Sequence, residues 1–189
     1  MIPGYTISGV LPPYIGDDPT MRPATSPYPA TLAELCKRFA TSDERIRILS
    51  GLVAYRRALK GAGFSGGFQW IDGSFVEDVE TTRGRPPGDV DVVTFTFLPP
   101  ALDFTDPQVS DGFLAQFSNL LDPRQCKIDY ACDAYLVSLS APPVALVDDT
   151  RYWFGLFSHQ RETALWKGIL VIDFDSNEDD ACDILESAT

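Results

Sequence analysis

The clearest strand signal in the sequence is the run Val90-Asp91-Val92-Val93-Thr94-Phe95-Thr96-Phe97, which is rich in β-branched and aromatic residues. Pro99 and Pro100 follow almost at once and end the strand, because proline cannot donate to a sheet ladder. A shorter run of the same character, Phe68-Gln69-Trp70-Ile71, comes earlier in the chain. The two runs predict two strands of one sheet, joined by a polar segment that carries much of the chemistry considered below.

The rest of the 189-residue chain supplies helices and two further strands. The predicted elements are a short helix capped by Thr31 with Glu34 at capping-box spacing, a longer helix capped by Ser42 or Asp43, a helix through Val109, Phe113, Phe117 and Leu120, a strand at residues 134–139, a helix through Tyr152, Trp153, Leu156 and Phe157, and a strand at residues 168–172. This order predicts an α/β (α+β) fold in which helices flank a small mixed sheet.

Three segments are expected along the chain. Residues 1–30 contain seven prolines and predict an extended lead-in that packs on the domain, since proline fixes φ and restricts the residue before it. Residues 31–175 are expected to form one folded domain. Residues 176–189 are acidic and weakly patterned, so they predict a solvated tail that frays.

Composition and charge exclude several classes of protein. The formal net charge of −12 opposes non-specific binding to DNA, whereas it suits binding of divalent cations or of a basic partner. The four cysteines form no C-x-x-C pair and His159 is the only histidine, so no zinc site of the Cys/His type is expected. The start of the chain lacks the pattern of a secretory signal and no apolar run has the length of a membrane span, so the cytoplasm is the predicted location.

Asp89 and Asp91 flank Val90 at the start of the clearest strand. Residues two apart on a strand point to the same face, so both carboxylates project together. Two close carboxylates repel one another unless a cation lies between them. Oxygen donors without a nearby histidine or thiolate favour Mg²⁺ or Mn²⁺, so the pair predicts a site for one of these ions.

Gly73 and Ser74 directly follow the other strand of the pair. Glycine lets backbone N–H groups approach a phosphate without a Cβ in the way, and serine adds a hydroxyl donor. A third carboxylate is expected from a neighbouring strand. Asp133 opens an apolar strand and is the better candidate, and Asp129 is the alternative if that strand begins earlier. These residues predict a triphosphate cradle beside a carboxylate site for two metal ions.

One pattern resembles the signature of the polymerase-β nucleotidyltransferase superfamily: Gly73-Ser74, a spacer of 14 residues, then Asp89-Val90-Asp91 and apolar residues. The spacer is slightly longer than is usual there, and the extra length falls in residues 81–88, where an insertion costs little. The chain is also similar to a group of small bacterial and phage-related proteins. That likeness extends from Leu11-Pro12-Pro13 to Trp166-Lys167-Gly168.

The resemblance implies a polymerase-β-like fold and transfer of a nucleoside monophosphate from an NTP to a hydroxyl on a protein, RNA or small-molecule acceptor, with Mg²⁺ or Mn²⁺. It implies that Asp89, Asp91 and Asp133 are catalytic metal ligands and that Gly73 and Ser74 hold phosphates. The small stand-alone members resemble nucleotidyltransferases of bacterial toxin–antitoxin and phage-defence systems. Many folds of this size lack the helical domain that grips base and acceptor, so a protein partner or a homodimer is expected to complete the pocket.

Five cationic residues are candidates for contact with phosphate or acceptor. Arg83 and Arg85 lie in the spacer, Lys167 precedes a glycine and a strand, and Lys127 and Arg161 follow the aspartate pair. For each of them a solvated surface position is the competing interpretation.

Aromatic residues and the single histidine have simpler expected roles. His159 is expected at a helix end or on the surface. The aromatic side chains are expected to fill the core, with stacking on a base as the alternative; they are Phe68, Trp70, Trp153, Phe154 and Trp166.

Two other classes of function stay open. The chain could be a catalytically silent nucleotidyltransferase-like binding module, an antitoxin or regulator held to a basic partner by its charge. Alternatively, it is a structural or interaction protein with an accidental Asp-x-Asp, and Asp133 then lies far from Asp91.

Overall fold

The computed structural model of the protein describes residues 1–102 and 107–188. The helices in this part of the chain are α1 (Leu32–Phe39), α2 (Asp43–Gly61), α3 (Val79–Arg83), α4 (Pro107–Phe117), α5 (Pro123–Tyr130), α6 (Pro143–Phe157) and α7 (Asp179–Ser187). The strands are β1 (Tyr28–Pro29), β2 (Ser65–Asp72), β3 (Val90–Phe97), β4 (Cys132–Ser138) and β5 (Leu170–Asp173). Short 3-10 turns lie at Arg22–Ala24, Ser74–Val76 and Ser118–Leu120.

The five strands form one mixed sheet in the order β1-β5-β2-β3-β4. Strand β2 is antiparallel to both of its neighbours, β5 and β3. The two outer pairs, β1 with β5 and β3 with β4, are parallel. The predicted α/β (α+β) class with a mixed sheet flanked by helices is therefore confirmed.

Helices cover the two faces of the sheet unequally. Helices α1, α2, α5 and α7 bury a large apolar core on one face, together with Val90 and Val92 of β3. On the other face α6 covers a smaller cluster, in which Phe154 packs edge-on against Trp70. Val93 lies in that second cluster, so alternate residues of β3 serve opposite faces, as a pleated strand requires.

The first two helices begin where the sequence predicts. The Thr31 hydroxyl accepts from the Glu34 backbone N–H at 3.0 Å, and the Glu34 carboxylate accepts from the Thr31 N–H at 2.9 Å, which completes the capping box. Ser42, and not Asp43, caps α2, because its hydroxyl accepts from the Arg45 N–H. Helix α4 is also observed, although the side chain of Val109, which helped to predict it, lies outside the described part of the structure.

The proline-rich lead-in packs on the domain. Leu11 and Tyr28 are buried in the main core, and Tyr28–Pro29 forms the edge strand β1. The N–H of Gly168 donates to the Leu11 carbonyl at 2.8 Å, which ties the lead-in to the segment before β5.

The C-terminal segment folds back as α7, so the expectation of a solvated tail is wrong for Asp179–Ser187. Ala181 and Leu185 of this helix are buried in the main core. Just before the helix, the buried Glu178 accepts from the Arg56 guanidinium of α2 at 3.0 Å. The acidic side chains of α7 lie on its exposed side, which is why the segment resembles a tail in sequence.

Two short helices lie where the sequence analysis predicts no helix. Helix α3 occupies part of the spacer, capped by Asp78 and ended by Gly84, whose φ is +63°. Helix α5 precedes β4 and is capped by Asp122. Both are under three turns long, too short for a clear apolar period. None of the helices in the described residues is long and apolar enough to span a membrane.

Candidate active site

Three aspartates stand side by side across β2, β3 and β4. The antiparallel pairing of β2 with β3 sets Asp72 opposite Asp91, and the parallel pairing of β3 with β4 sets Asp133 beside Asp91. Neighbouring strands lie about 4.8 Å apart, so the three Cα atoms form a row across the sheet. The expectation that Asp133 lies far from Asp91, as in a structural protein with an accidental motif, is therefore wrong.

The side chains of this aspartate row share one face of the sheet. Residues two positions further into each strand, such as Trp70 and Val93, belong to the apolar cluster beneath α6. The last residues of α6, from Gly155 to Phe157, line the same cavity as the row. Asp89 lies one residue before β3 and lines the same cavity as Asp91, in agreement with the parity argument from the sequence.

Asp129 does not lie on a strand, so it is wrong as the alternative third carboxylate. It occupies the last turn of α5, where it is exposed and accepts from Gln125 Nε2 at 2.8 Å. Ala131, with φ of +54°, ends the helix, and β4 begins only at Cys132.

Gly73 makes the turn that leaves β2 and enters the 3-10 turn Ser74–Val76. Its φ is +83°, in the region that favours glycine. A Cβ at this position would overlap the carboxylate of Asp91. Glycine is therefore needed both for the backbone conformation and for the close approach to the aspartate row.

Buried cations hold the segment that follows this turn. Arg45 of α2 donates to the carbonyl oxygens of Phe75 and Glu77, at 2.7 and 2.8 Å, and forms an ion pair with Glu80. Its side chain is 3% exposed, so these bonds are shielded from water. Arg45 of α2 thus holds the segment after Gly73 from the face of the sheet that carries the main core.

Lys167 fixes the same turn from the cavity side. Its buried ammonium lies 3.1 Å from Asp72 Oδ2 and 3.0 Å from Glu77 Oε1, and it donates to the Gly73 carbonyl at 3.3 Å. Burial alone would lower the pKa of Lys167, but Asp72 and Glu77 raise it above its usual range. The charge of Lys167 is thus paired inside the protein. The sequence predicts contact between this ammonium and a phosphate, but its internal partners already occupy it.

Glu77 connects this network to the rim of the cavity. One carboxylate oxygen binds Lys167, and the other accepts from Arg83 at 3.1 Å and from Gln160 Nε2 at 2.8 Å. The Arg83 side chain is 26% exposed, so Glu77 anchors a guanidinium that still reaches the cavity.

Burial and mutual repulsion act on the aspartate row. Burial and, to a smaller extent, repulsion by the neighbouring Asp89 and Asp133 together raise the pKa of Asp91 to about 6. Burial also raises the pKa of Asp72, to about 7, against the opposing effect of Lys167. Asp72 Oδ1 is buried and lacks a hydrogen-bond partner among the described residues. This wall of the cavity therefore holds more negative charge than its protein cations balance.

Lys127 of α5 lines the cavity and contacts the aspartate that precedes β3. Its ammonium forms an ion pair with Asp89 Oδ2, and this contact raises the pKa of Lys127. The Lys127 side chain is 56% exposed, whereas that of Asp89 is 17% exposed.

One cavity of about 510 Å³ collects the residues predicted for the site. The predicted residues that line it are Gly73, Ser74, Arg83, Arg85, Asp89, Asp91, Lys127, Asp133, Arg161 and Lys167. Asp72, Glu77 and Gln160 also line it, and they were not predicted from the sequence. The first of these had a visible signal, because Asp72 ends a strand directly before the glycine turn.

Two guanidinium groups line this cavity and have no carboxylate partner among the described residues. Arg85 donates to the Pro86 carbonyl at 3.1 Å, and neither Arg85 nor Arg161 forms an ion pair within the described residues. His159 also lines the cavity, with Nδ1 3.1 Å from the Gly155 carbonyl. The cavity thus combines an acidic wall with arginine side chains whose charge is available to bind an anion.

Four of the five aromatic residues pack in the core as expected, and Trp166 does not. Most belong to the apolar cluster beneath α6, namely Phe68, Trp70, Trp153 and Phe154. Trp166 is 46% exposed and packs on Tyr14, with ring centroids 6.0 Å apart. None of these five lines the cavity.

The donors present suit a hard divalent cation. Asp89, Asp91 and Asp133 offer carboxylate oxygens, and Asp72 adds the unpartnered oxygen in the same wall. In the described residues no group of three or more His, Cys, Asp or Glu side chains is already arranged to hold a metal ion. The donor chemistry therefore fits Mg²⁺ or Mn²⁺, while the side-chain arrangement is not a closed coordination shell.

Comparison with known proteins places the chain in a family. Residues 3–173 match the family of unknown function DUF6932, and this match covers most of the sequence. The chain belongs to that family. No curated protein and no solved structure matches the chain.

Proposed function

We propose that the protein is a nucleotidyltransferase that uses Mg²⁺ or Mn²⁺ to transfer a nucleoside monophosphate from an NTP to a hydroxyl group. The observation that carries the proposal is the register of three strands, which aligns Asp72, Asp91 and Asp133 beside the Gly73 turn. A cation–triphosphate complex suits both the acidic wall and the cationic rim of one cavity. The motif resemblance to the polymerase-β superfamily supports the same chemistry.

The chain's residues divide into two sets under this proposal. Asp89, Asp91 and Asp133 would hold the divalent cation, and the turn at Gly73 and Ser74 would present N–H and hydroxyl donors to the phosphates. A divalent cation bound there supplies charge neutralisation of the triphosphate. Fixing the turn through buried Arg45 and Lys167 gives these donors a defined position before any ligand arrives, which lowers the reorganisation needed.

Arginine side chains at the cavity would bind the triphosphate and the acceptor. Arg83 is anchored by Glu77, whereas Arg85 and Arg161 have no competing carboxylate in the described part of the protein. A guanidinium can bind two phosphate oxygens at once, so these groups suit an anionic ligand better than a neutral one.

The proposed group transfer is an in-line displacement at phosphorus. The acceptor oxygen attacks the α-phosphorus, the bond from that phosphorus to the bridging oxygen of the β-phosphate breaks, and pyrophosphate leaves. Asp133 takes the proton from the acceptor hydroxyl. The acceptor is a hydroxyl on a protein, an RNA or a small molecule.

Incubation with labelled NTPs, Mg²⁺ and candidate acceptors tests the proposal. Label should be transferred by the wild-type protein and lost in the variant with Asp89→Ala and Asp91→Ala together. Asp129→Ala is the matched control, because Asp129 is an exposed aspartate outside the cavity. Label transfer that survives the double substitution would remove the mechanism.

A second candidate function is a catalytically silent binding module that acts through a protein partner, as an antitoxin or regulator. Two observations favour it: Lys127 already pairs with Asp89, and the described carboxylates form no ready metal group. Such a module should gain no metal-dependent protection by NTPs in thermal melting and should co-purify with a partner. Metal-dependent protection by an NTP would exclude it.

A further inference from the structure

Lys127 occupies a position that a bound divalent cation would contest. Its ammonium contacts Asp89 Oδ2, and its charge also interacts favourably with Asp91 and Asp133. One cation thus acts on three carboxylates. Lys167 also acts on Asp91, but it is already paired with Asp72 and Glu77, so Asp89, Asp91 and Asp133 together carry more negative charge than Lys127 balances.

We propose that Lys127 is an internal counter-ion that competes with the divalent cation for Asp89 and thereby sets the metal affinity of the site. This inference rests on the proposed metal site. In the absence of metal the lysine screens the carboxylates from one another. When the divalent cation binds, the ammonium must leave Asp89 or remain as a repelling neighbour, and either course weakens metal binding.

The exposure of Lys127 makes such an exchange feasible. The Lys127 side chain is 56% exposed and that of Asp89 is 17% exposed, so the ammonium can move into water while the carboxylate stays in the cavity. A lysine stem is flexible, so the ammonium can leave Asp89 without any movement of α5. Lys167, by contrast, is buried within a network of three partners and cannot play this part.

Arg124 provides a matched control on the same helix. It is exposed in α5, three residues before Lys127, and no ion pair with Asp89 is seen for it in the described structure. Lys127→Met and Arg124→Met each remove one positive charge from α5, but only Lys127→Met removes the ammonium that contacts Asp89. Lys127→Arg keeps the charge at the contested position.

Titration with Mn²⁺, followed by the electron paramagnetic resonance signal of the free ion, tests the inference without any substrate. At pH 8 and low ionic strength, Lys127→Met should bind Mn²⁺ about 10-fold more tightly than the wild type, because a like charge next to the metal is removed. Lys127→Arg and Arg124→Met should stay within about 2-fold of the wild type. In high salt the advantage of Lys127→Met should shrink, since screening weakens the repulsion.

The outcomes separate this inference from the proposed function. Wild-type binding that is lost in Asp91→Asn but unchanged or weaker in Lys127→Met would overturn the role of Lys127 and leave the metal site standing. An equal gain in Arg124→Met would also overturn it, because the effect would then be one of general charge. Absence of Mn²⁺ binding in every protein would remove the metal site itself and the inference with it.

Discussion

The backbone of Gly73 lies directly against the carboxylate of Asp91, so closely that a Cβ at residue 73 would overlap Asp91 Oδ2. This contact joins the turn that follows β2 to the centre of the aspartate row. The donors proposed for phosphate and the ligands proposed for metal are therefore held in one rigid arrangement.

Gly73→Ala should destabilise the protein by about 1–3 kcal/mol, because alanine is strained at φ of +83° and its Cβ displaces Asp91. Urea denaturation measures the change. Gly88→Ala is the control, since no atom lies near its Cβ position and its φ requires no glycine. Equal stability of the two variants would contradict the close contact.

Asp91→Asn should stabilise the metal-free protein at pH 8 while it removes a proposed metal ligand. Burial and the neighbouring carboxylates raise the pKa of Asp91 to about 6, so the ionised side chain is disfavoured in the folded state. The free energy of unfolding should rise by about 1–3 kcal/mol, as measured by urea denaturation, and the size of the pKa shift sets the upper end of this range. Asp129→Asn, at an exposed position, should change stability little. A less stable Asp91→Asn variant would show that the row is not under repulsion.

The stabilising effect of Asp91→Asn should depend on pH in a defined direction. A carboxyl group whose folded pKa is raised binds its proton more tightly in the folded than in the unfolded protein. Its wild-type penalty is therefore absent below the unfolded pKa of about 3.8 and complete above about 6. The stability difference between Asp91→Asn and wild type should vanish near pH 4 and grow until about pH 6–7, as measured by urea midpoints. A difference that is constant from pH 4 to pH 8 would contradict this origin.

Lys167→Met should destabilise the protein by about 3–5 kcal/mol, because it leaves Asp72 buried without a cation and Glu77 with Arg83 alone. Adding Asp72→Asn to this variant should recover part of the loss, since it removes the carboxylate that has lost its ion-pair partner. Arg161→Met, an exposed cavity residue without an ion-pair partner in the described structure, should lie within about 0.5 kcal/mol of the wild type. A small effect of Lys167→Met would mean that its ammonium is free, as the sequence predicts.

The parts of the fold that the sequence predicts well are those with dense local signals. The predicted strand from Val90 to Phe97 coincides with β3, because β-branched or aromatic residues fill every position except Asp91. The capping box of Thr31 and Glu34 is likewise a signal contained within four residues. The prediction of Asp133 rests on a local signal as well, since Asp133 directly precedes the apolar run Ala134-Tyr135-Leu136-Val137.

The features that the sequence does not predict depend on contacts between distant residues. Asp72 resembles an ordinary turn residue until the register of β2 sets it opposite Asp91. The role of Lys167 depends on Asp72 and Glu77, which lie some 90 positions earlier in the chain. Helix α7 buries only Ala181 and Leu185 in the core, and the acidic residues around them make the segment look like a solvated tail in the sequence. In each case tertiary packing decides an outcome that local composition leaves open.

The central claim is that the aspartate row binds an NTP together with a divalent cation. Isothermal titration of each NTP into the protein, with Mg²⁺ and with EDTA, tests it most directly. We predict binding of at least one NTP to the wild type and to Asp129→Asn only when Mg²⁺ is present, and no binding to the variant with Asp91→Asn and Asp133→Asn. Binding that is the same with EDTA, or that persists in the double variant, would contradict the account.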